Sequence, residues 1–417
     1  MNIMQNKFPQ SEPILRIGII LPIDKRKEVT ISFSDPSLFE IETFDRLNPS
    51  SKTPEILNVS VDNGEMLITK IIEDDNYGIT IHGVPAGREF HWEKTIDVTL
   101  LGNVDISIKD EYLLLTNCVP LEQYIACVAV SEMSSTCPSA LLESQTITAR
   151  SWILAAAEKK HSDLNLDACN DDCCQRYQGL DQITDSSRKA SKDTKGIVLT
   201  YDNQICDARY SKSCGGISES AENVWDMPPT PYLSSVYDGP NDNVETDWDN
   251  WFTYYPKVFC GQNYAPEDEL HKYLGNVDKE GHYFRWLLNF TQNEFCKFFS
   301  EKINEHVSHI TKIDVLNRGK SGRINHLYLD YDTNEGIPKT LRINNEYDIR
   351  KMLHPSFLYS SAFIINMDEK HIKLFGAGWG HGVGLCQIGA LGMALNNYST
   401  NEILTHYFID TELKRLY

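Results

Sequence analysis

The feature that most constrains the fold is a change in the period of the apolar residues near Pro120. Upstream, residues ~13–115 contain β-branched runs such as EVTISF and YGITIHGV, broken by Gly, Pro, Asn and Asp, and such runs are typical of strands. Downstream, Leu121, Ile125 and Val128 have the spacing of one helix face. The pattern predicts an α+β fold in which a β-rich region precedes a helical one.

The length of 417 residues exceeds what a single core usually holds. We predict an N-terminal β-rich region at residues 1–105 and a mixed α/β catalytic region at residues 106–417, with a lobe inserted at residues 240–310. A long helix is expected after Pro138, in the region that carries the motif SEM. Its pattern ends in the basic residues Lys159 and Lys160, which suit a helix C-terminus.

The charge of the chain restricts its partners. A formal net charge of -20 and a pI of ≈ 5.0 argue against nucleic acid or an anionic membrane surface, because phosphate groups are bound by clustered Lys and Arg. No stretch is long enough to span a bilayer. The apolar run of residues 14–23 is interrupted by Arg16 and Pro22, so we expect a strand there and no signal peptide. Neutral glycans, peptides and small molecules remain as partner classes.

Glu132 occupies the next position on the apolar stripe after Val128, immediately before the helix-breaking stretch SSTCP. A carboxylate on an apolar stripe loses hydration, which favours its protonated form and suits a general acid. The alternative is an acid that reaches solvent from the helix end or pairs with Arg150, since ion pairs are common in such positions. The spacing alone leaves both interpretations open.

A short loop, HSDLNLDACNDDCCQRYQGL, contains His161, Cys169, Cys173 and Cys174. Thiolates and an imidazole at these separations can close around Zn²⁺. Reactive thiols or a vicinal Cys173–Cys174 disulfide are the alternatives. A zinc ion here would be structural and would fix the loop after the long helix, unless one coordination position is left to water. Most of the other cysteines lie singly in apolar surroundings, which predicts buried free thiols.

The segment GAGWGHGVG has a glycine at every second position from residue 376 to residue 384, with Trp379 and His381 between them. Glycine permits close backbone approach and positive φ. Exposed backbone amides beside one histidine and one tryptophan favour sugar binding, and the alternative is a tight structural crossover. The segment RYSKSCGG, residues 209–216, is a candidate wall of a cleft.

Six motifs occur in a fixed order along the chain: "PLEQYIACVAVSEM", "ESQTITARSW", "DACNDDCCQRYQGL", "YSKSCGG", "RGKSGRI" and "GWGHGVGLCQIGA". With them the chain resembles the stage II sporulation protein D (SpoIID)/LytB amidase-enhancer family, closely over residues ~90–417 and loosely before. The resemblance implies a peptidoglycan lytic transglycosylase of the bacterial cell envelope. Such an enzyme cuts the β-1,4 bond between N-acetylmuramic acid and N-acetylglucosamine and leaves a 1,6-anhydro end.

The resemblance also implies roles for individual residues. Glu132, in the SEM motif, would be the catalytic acid, and Cys169 and Cys174 would bind zinc, with His161, Cys173 or Asp163 as the third ligand and His161 preferred. No organic cofactor is implied. The residues expected to bind substrate or stabilise charge are Arg150, Tyr177, Lys212, Ser213, His381 and Gln387.

Two positions depart from the family pattern: Glu143, where a lysine is common, and Ser211, where a histidine is common. They motivate a second hypothesis, a non-catalytic peptidoglycan-binding protein that enhances a separate cell-wall amidase. A thiol redox enzyme or zinc-dependent hydrolase centred on Cys169–Cys174 ranks last.

Overall fold

The computed structural model describes residues 8–43, 52–72, 74, 76–88, 93–157, 159–240, 247–274 and 281–417. The chain forms two compact units. The first comprises Met1–Thr136, Gln145–Asp207 and Leu413–Tyr417, and the second comprises Cys137–Ser144 and Ala208–Glu412. Each unit therefore contains segments that are far apart in the sequence.

The described residues combine strands and helices, which confirms the predicted α+β class. The strands are β1 (Ile14–Ile20), β2 (Glu28–Phe33), β3 (Phe39–Thr43), β4 (Ile56–Ser60), β5 (Met66–Lys70), β6 (Ile79–Ala86), β7 (Lys94–Leu100), β8 (Asn103–Lys109), β9 (Tyr112–Pro120), β10 (Ala168–Cys169), β11 (Ile197–Tyr201), β12 (Gln204–Ile205), β13 (Tyr210–Ser211), β14 (Arg285–Thr291), β15 (Val307–Arg318), β16 (Ile324–Thr333), β17 (Pro338–Ile343), β18 (Phe363–Met367), β19 (His371–Ala377), β20 (Leu385–Cys386) and β21 (Glu412–Arg415). The helices are α1 (Leu121–Glu132), α2 (Ser139–Ala155), α3 (Asp185–Asp193), α4 (Trp248–Trp251), α5 (Gln292–Ile303), α6 (Glu346–Met352), α7 (Gln387–Leu395) and α8 (Thr400–Tyr407).

In the first unit the N-terminal strands form two sheets, with strand orders β10-β1-β9-β8-β5-β3 and β4-β2-β6-β7, and a smaller sheet has the order β12-β11-β21. The strand expected within residues 14–23 is β1, which pairs with β9 antiparallel and with β10 parallel. The predicted boundary between residues 105 and 106 falls inside β8, whose hydrogen bonds to β9 continue from Asn103 to Lys109.

Helix α1 is more deeply buried than a one-face stripe predicts. Leu121, Ile125 and Val128 are fully buried in the core of the first unit, but so are Tyr124 and Cys127 on the flanks of the stripe. A helix that is apolar on most sides is a core helix. The core therefore encloses α1 almost to its last turn, where Glu132 lies.

Helix α2 differs from the prediction at its end. It stops at Ala155, and Ala156 follows with a φ of 47°. The basic residues Lys159 and Lys160 therefore lie beyond the helix, and its last turn contains no basic residue. The expected pairing of positive side chains with the C-terminus of the helix was wrong, because the left-handed residue ends the helix first.

The second unit contains the two-stranded parallel sheet β13-β20 and the three-stranded sheets β14-β19-β18 and β15-β16-β17. Helices α5 and α6 contribute side chains to a core shared with the last two sheets. The region predicted as an inserted lobe, residues 240–310, lies in this unit, and its strand β14 pairs with β19 along seven residues. Among the described residues, no helix combines the length and apolarity needed to cross a bilayer.

Candidate active site and metal-binding clusters

Glu132 is the last residue of α1, and the chain leaves the helix at once because Met133 is extended (φ -135°, ψ 150°). Its neighbours Ser131 and Met133 are 6% and 1% exposed, whereas Glu132 itself is only partly buried. One carboxylate oxygen, Oε1, accepts the backbone N–H of Arg176 at 3.2 Å. Glu132 is thus an acid at the edge of an apolar core, held by a main-chain donor.

The donor belongs to the segment that follows the cysteine loop and runs along α1. The hydroxyl of Tyr124 donates to Gln175 at 3.2 Å, and the backbone N–H of Gln178 donates to the hydroxyl of Ser131 at 3.3 Å. The guanidinium of Arg176 contacts Asp172 at 2.7 Å. Burial opposes its charge, but the carboxylates of Asp172 and Glu132 raise the pKa of Arg176 above its usual value. These contacts join the cysteine loop to the end of α1.

Tyr177, a predicted substrate residue, is fully buried, and its hydroxyl donates to Asn117 at 2.8 Å. Its ring lies 5.0 Å from that of Tyr124. In this structure Tyr177 therefore anchors the segment to the core. A direct contact of Tyr177 with a glycan stays a prediction.

Arg150 is fully buried in the first unit, and its guanidinium is bound to Glu122 by two hydrogen bonds of 3.0 and 2.5 Å. It also donates to the carbonyl of Ile197 at 3.0 Å. Burial acts in the opposite direction, but Arg150 holds the pKa of Glu122 below its usual value. Arg150, which the sequence offered as an alternative partner of Glu132, thus forms an ion pair with Glu122. A contact of Arg150 with substrate stays a prediction, and the burial of the Arg150–Glu122 pair does not favour it.

The cysteine loop brings four donor groups together. The ligand atoms of His161, Cys169, Cys173 and Cys174 all lie within 4.8 Å of one another, so this group could hold a metal ion. The Sγ atoms of Cys169 and Cys173 are 3.1 Å apart, and Cys173 Sγ lies 3.9 Å from His161 Nε2. The group contains the three predicted ligands and adds Cys173, whereas Asp163 is not part of it.

Local structure explains why these donors meet. Cys169 lies on β10, which pairs with β1 at Gly18, and His161 precedes the 3-10 turn Ser162–Leu164. Hydrogen bonds to Cys173 and Cys174 raise the pKa of His161 to about 10, and those to Cys169 and Cys174 lower the pKa of Cys173. A thiolate beside an imidazolium is a donor set in which a metal cation can replace the proton.

In the second unit the glycine-rich segment is a crossover around a buried arginine. Gly378, Gly380, Gly382 and Gly384 have φ values of 77°, 89°, 77° and 72°, as the alternating pattern predicts. The guanidinium of Arg323, which is 2% exposed, donates to the carbonyls of Cys214 at 3.1 Å and Gly380 at 3.2 Å. A Cβ atom on Gly382 would lie 2.3 Å from the Cζ atom of Arg323. The geometry thus supports the structural alternative, and the sugar-binding role stays a prediction.

His381 is a partly buried ring within this crossover, and its Nδ1 accepts the N–H of Val383 at 3.0 Å. Burial lowers the pKa of His381 well below its usual value, and the charges of Arg209, Arg323 and Arg350 lower it further. At neutral pH the ring is therefore uncharged, with its proton on Nε2. The backbone of Tyr210 forms a hydrogen bond with the same ring, which uses the one donor that a neutral imidazole has.

The remaining predicted substrate residues also lie in the second unit. Ser213 is fully buried and exchanges two backbone hydrogen bonds with Trp379, of 3.1 and 2.8 Å. Gln387 is 1% exposed at the start of α7, and Lys212 is partly exposed. Glu132, Arg150, Tyr177 and the cysteine loop belong to the first unit. The substrate roles of Lys212, Ser213, His381 and Gln387 stay predictions.

Sequence reasoning missed a second group of possible metal ligands. Cys214, Asp238, Cys260 and Cys386 are buried, and their ligand atoms lie within 4.8 Å of one another. Cys214 and Cys386 are 172 residues apart in the chain, so no local spacing pattern indicates the group. The expectation of single buried thiols was correct about burial, but it did not foresee that three of them meet.

Two regions of this chain match known protein families. The family described as Stage II sporulation protein matches residues 109–201, and a domain of unknown function, DUF8618, matches residues 219–384. An uncharacterised protein of Brachyspira hyodysenteriae is 26% identical over 346 residues, which cover 82% of this chain and 80% of the relative.

Two relatives from Bacillus subtilis have names that bear on function. Stage II sporulation protein D is 26% identical over 318 residues, covering 71% of this chain and 74% of that protein. Amidase enhancer is 22% identical over 294 residues, covering 69% of this chain but 39% of that longer protein. These matches show a region similar to SpoIID proteins at residues 109–201. They confirm the resemblance to the SpoIID/LytB family that the six motifs indicate, and the segment with Glu132 and the cysteine loop lies inside the matched region.

Proposed function

We propose that this protein is a peptidoglycan lytic transglycosylase in which Glu132 is the only general acid and base. The similarity to a sporulation protein and to an amidase enhancer supports a cell-wall role in the bacterial envelope. The observation that carries the finer proposal is the position of Glu132, a partly buried carboxylate at the end of an apolar helix with one oxygen held by the N–H of Arg176. Its substrate would be the N-acetylmuramic acid–β-1,4–N-acetylglucosamine bond.

In the proposed reaction one acid acts twice. Protonated Glu132 gives its proton to the glycosidic oxygen as the bond from C1 of the muramic acid breaks. The resulting carboxylate then takes the proton of the C6 hydroxyl of the same sugar, whose oxygen bonds to C1 and closes the 1,6-anhydro ring. No water is added, so the second carboxylate of an ordinary glycosidase is not required.

The cysteine loop would support this acid through its backbone. His161, Cys169, Cys173 and Cys174 offer one nitrogen and three sulfurs, a donor set that fits a closed, structural zinc site. A bound zinc ion would supply a cross-link within the loop. The N–H of Arg176, two residues beyond Cys174, reaches Glu132. Fixing the loop would therefore fix the hydrogen-bond donor that orients the carboxylate.

The test compares wild type with Glu132→Gln on purified peptidoglycan, with mass spectrometry of the soluble products. We expect 1,6-anhydro fragments from wild type and at least a hundredfold fewer from the variant, because an amide cannot donate or accept the proton. Glu111→Gln, which alters an exposed acid in the turn between β8 and β9, is the matched control and should retain activity. Equal product from Glu132→Gln and wild type would contradict the assignment of Glu132.

The second candidate function is a non-catalytic wall-binding protein that enhances an amidase. The departure at Glu143 supports it. The Glu143 carboxylate accepts a hydrogen bond from the hydroxyl of Thr400 at 2.6 Å. The lysine that is common at this position in the family could not accept that bond, because an ammonium group is only a donor. Under this hypothesis the protein sediments with peptidoglycan, produces no anhydro ends, and accelerates a purified cell-wall amidase. Anhydro products that depend on Glu132 would reject it.

A further inference from the structure

A group of four buried side chains in the second unit is separate from the proposed catalytic machinery. Cys214, Asp238, Cys260 and Cys386 are 2%, 0%, 1% and 0% exposed, and their ligand atoms lie within 4.8 Å of one another. The Sγ atoms of Cys214 and Cys260 are 3.8 Å apart. Three thiols and a carboxyl group thus share one small volume without access to solvent.

The backbone of several segments holds these groups in place. Cys386 lies on β20, which pairs in parallel with β13 through the register Ser211↔Cys386, and Cys214 follows β13. The backbone N–H of Cys260 donates to Asp238 Oδ2 at 2.9 Å. A Cβ atom on Gly389 would lie 2.7 Å from Asp238 Oδ1, so a glycine there permits the close approach of the acid.

A thiol and the carboxyl group of this cluster also accept hydrogen bonds of the kind that metal ligands accept. Cys386 Sγ accepts the backbone N–H groups of Cys214 at 3.2 Å and Gly389 at 3.3 Å, which favours a thiolate. Asp238 Oδ1 accepts the hydroxyl of Tyr407 at 2.6 Å. Metal ligands in proteins are usually oriented by such outer hydrogen bonds.

We propose that Cys214, Asp238, Cys260 and Cys386 form a second metal site that binds zinc through three thiolates and one carboxylate. A buried carboxyl group is stable only when it is hydrogen-bonded, paired or bound to a metal, and sulfur with one oxygen is a donor set that zinc accepts. Tetrahedral zinc with Zn–S bonds of about 2.3 Å separates neighbouring sulfurs by about 3.8 Å. The Cys214–Cys260 separation equals that value.

Other occupants fit less well. The cysteines of a four-iron cluster bind the outside of an iron–sulfur cube and stand farther apart than this group allows. A Cys214–Cys260 disulfide would remove two ligands and leave Asp238, among the described residues, with only His406, whose Nε2 lies 3.9 Å from Oδ1, as a neighbouring group that can carry positive charge. The four protein ligands fill a tetrahedral shell, so the site is structural.

The position of the proposed metal site shows which parts of the chain the metal would connect. Cys214 precedes and Cys386 follows the region matched by DUF8618, residues 219–384, while Asp238 and Cys260 lie inside it. One metal ion would thus tie both ends of this region to its interior. The zinc would stabilise the region against unfolding, because the unfolded chain lacks a preformed site.

The experiment counts zinc in the purified full-length chain by inductively coupled plasma mass spectrometry. We expect two zinc ions per chain in wild type and one in Cys169→Ser/Cys174→Ser, which disables the loop cluster. X-ray absorption of that variant should then show three sulfurs and one oxygen around zinc. Cys214→Ser/Cys260→Ser should retain only the loop metal, and Cys296→Ser, which alters a buried cysteine in α5, should retain both.

Several outcomes separate the proposals. One zinc in wild type that survives Cys169→Ser/Cys174→Ser would uphold the buried site and reject the loop site. A folded Cys169→Ser/Cys174→Ser variant without metal, or a Cys214–Cys260 disulfide found by non-reducing peptide mapping of wild type, would overturn the buried site. The metal content of Cys169→Ser/Cys174→Ser and the peptide map of wild type are informative even when Cys214→Ser/Cys260→Ser does not fold.

Discussion

Arg150 and Arg323 are charged side chains that lie in the family motifs and inside the protein. Each guanidinium is surrounded by acceptors, Glu122 and a carbonyl for Arg150, and several backbone carbonyls for Arg323. A buried charge requires such compensation. A charged residue in a motif can therefore be there to hold the fold around a site, and burial distinguishes this role from substrate contact.

His381 leads to a prediction about pH. The unfolded chain protonates a histidine near pH 6.5, whereas His381 in the folded protein has a pKa well below that value. The unfolded state then binds more protons below pH 6.5, so this contribution to stability is complete above pH 6.5 and is lost as the pH falls. We expect the free energy of unfolding of wild type to fall more steeply below pH 6.5 than that of His381→Gln, by at most about 1.4 kcal/mol per pH unit.

Urea unfolding of both proteins between pH 5 and pH 8 measures this difference. The other histidines titrate in both proteins, so the difference between the two curves isolates His381. Parallel curves over this range would show that the ring is as easily protonated in the folded protein as in the unfolded chain.

At the scale of elements, the glycine-rich crossover depends on close backbone packing. Gly384 has a φ of 72°, and a Cβ atom there would lie 2.1 Å from the carbonyl oxygen of Arg209. Gly336 has nearly the same φ, 73°, but no heavy atom within 4 Å of such a Cβ. A comparison of alanine substitutions at Gly384 and Gly336 therefore separates the free-energy cost of the backbone conformation from that of the steric clash.

We expect Gly384→Ala to destabilise the protein by roughly 2–5 kcal/mol, because it adds a clash to a strained φ. Gly336→Ala should cost about 1–2 kcal/mol, from the left-handed conformation alone. Chemical denaturation of the two variants provides the measurement. Equal losses would mean that the crossover tolerates a side chain and is looser than its geometry indicates.

The two helices and the cysteine loop show how far local pattern can predict elements. Apolar spacing and Pro138 predicted α1 and α2, because helix signals lie within a few turns. The predicted basic end of α2 failed at Ala156, whose positive φ no residue-type preference indicates. The loop was predicted because its four donors lie within fourteen positions, from residue 161 to residue 174.

At the scale of the whole molecule, the C-terminal segment returns to the first unit. Strand β21 lies beside β11, and the N–H of Leu416 donates to the carbonyl of Gly196 at 2.9 Å. The hydroxyl of Tyr417 donates to Glu122 at 2.9 Å, the acid that binds Arg150. These last residues thus complete a polar cluster whose other members lie near residues 122, 150 and 196.

We expect Tyr417→Phe to cost roughly 1 kcal/mol, the value of one hydrogen bond. Deletion of Leu413–Tyr417 should cost markedly more, because it also removes most of β21. Differential scanning calorimetry compares the two variants with wild type. A deletion that costs no more than Tyr417→Phe would mean that β21 adds nothing to the first unit.

Properties set by neighbouring residues could be predicted from the chain alone: the β-rich start, helices α1 and α2, the resemblance to the SpoIID/LytB family, the place of Glu132 at the end of an apolar helix and the cysteine loop. They depend on periodicity and spacing within short windows. The Arg150–Glu122 pair, the guanidinium inside the glycine crossover and the buried cysteine–aspartate group became apparent only in the folded protein. Their members are 22 to 172 residues apart, and such partners are chosen by packing, which brings distant buried polar groups together because each must be satisfied.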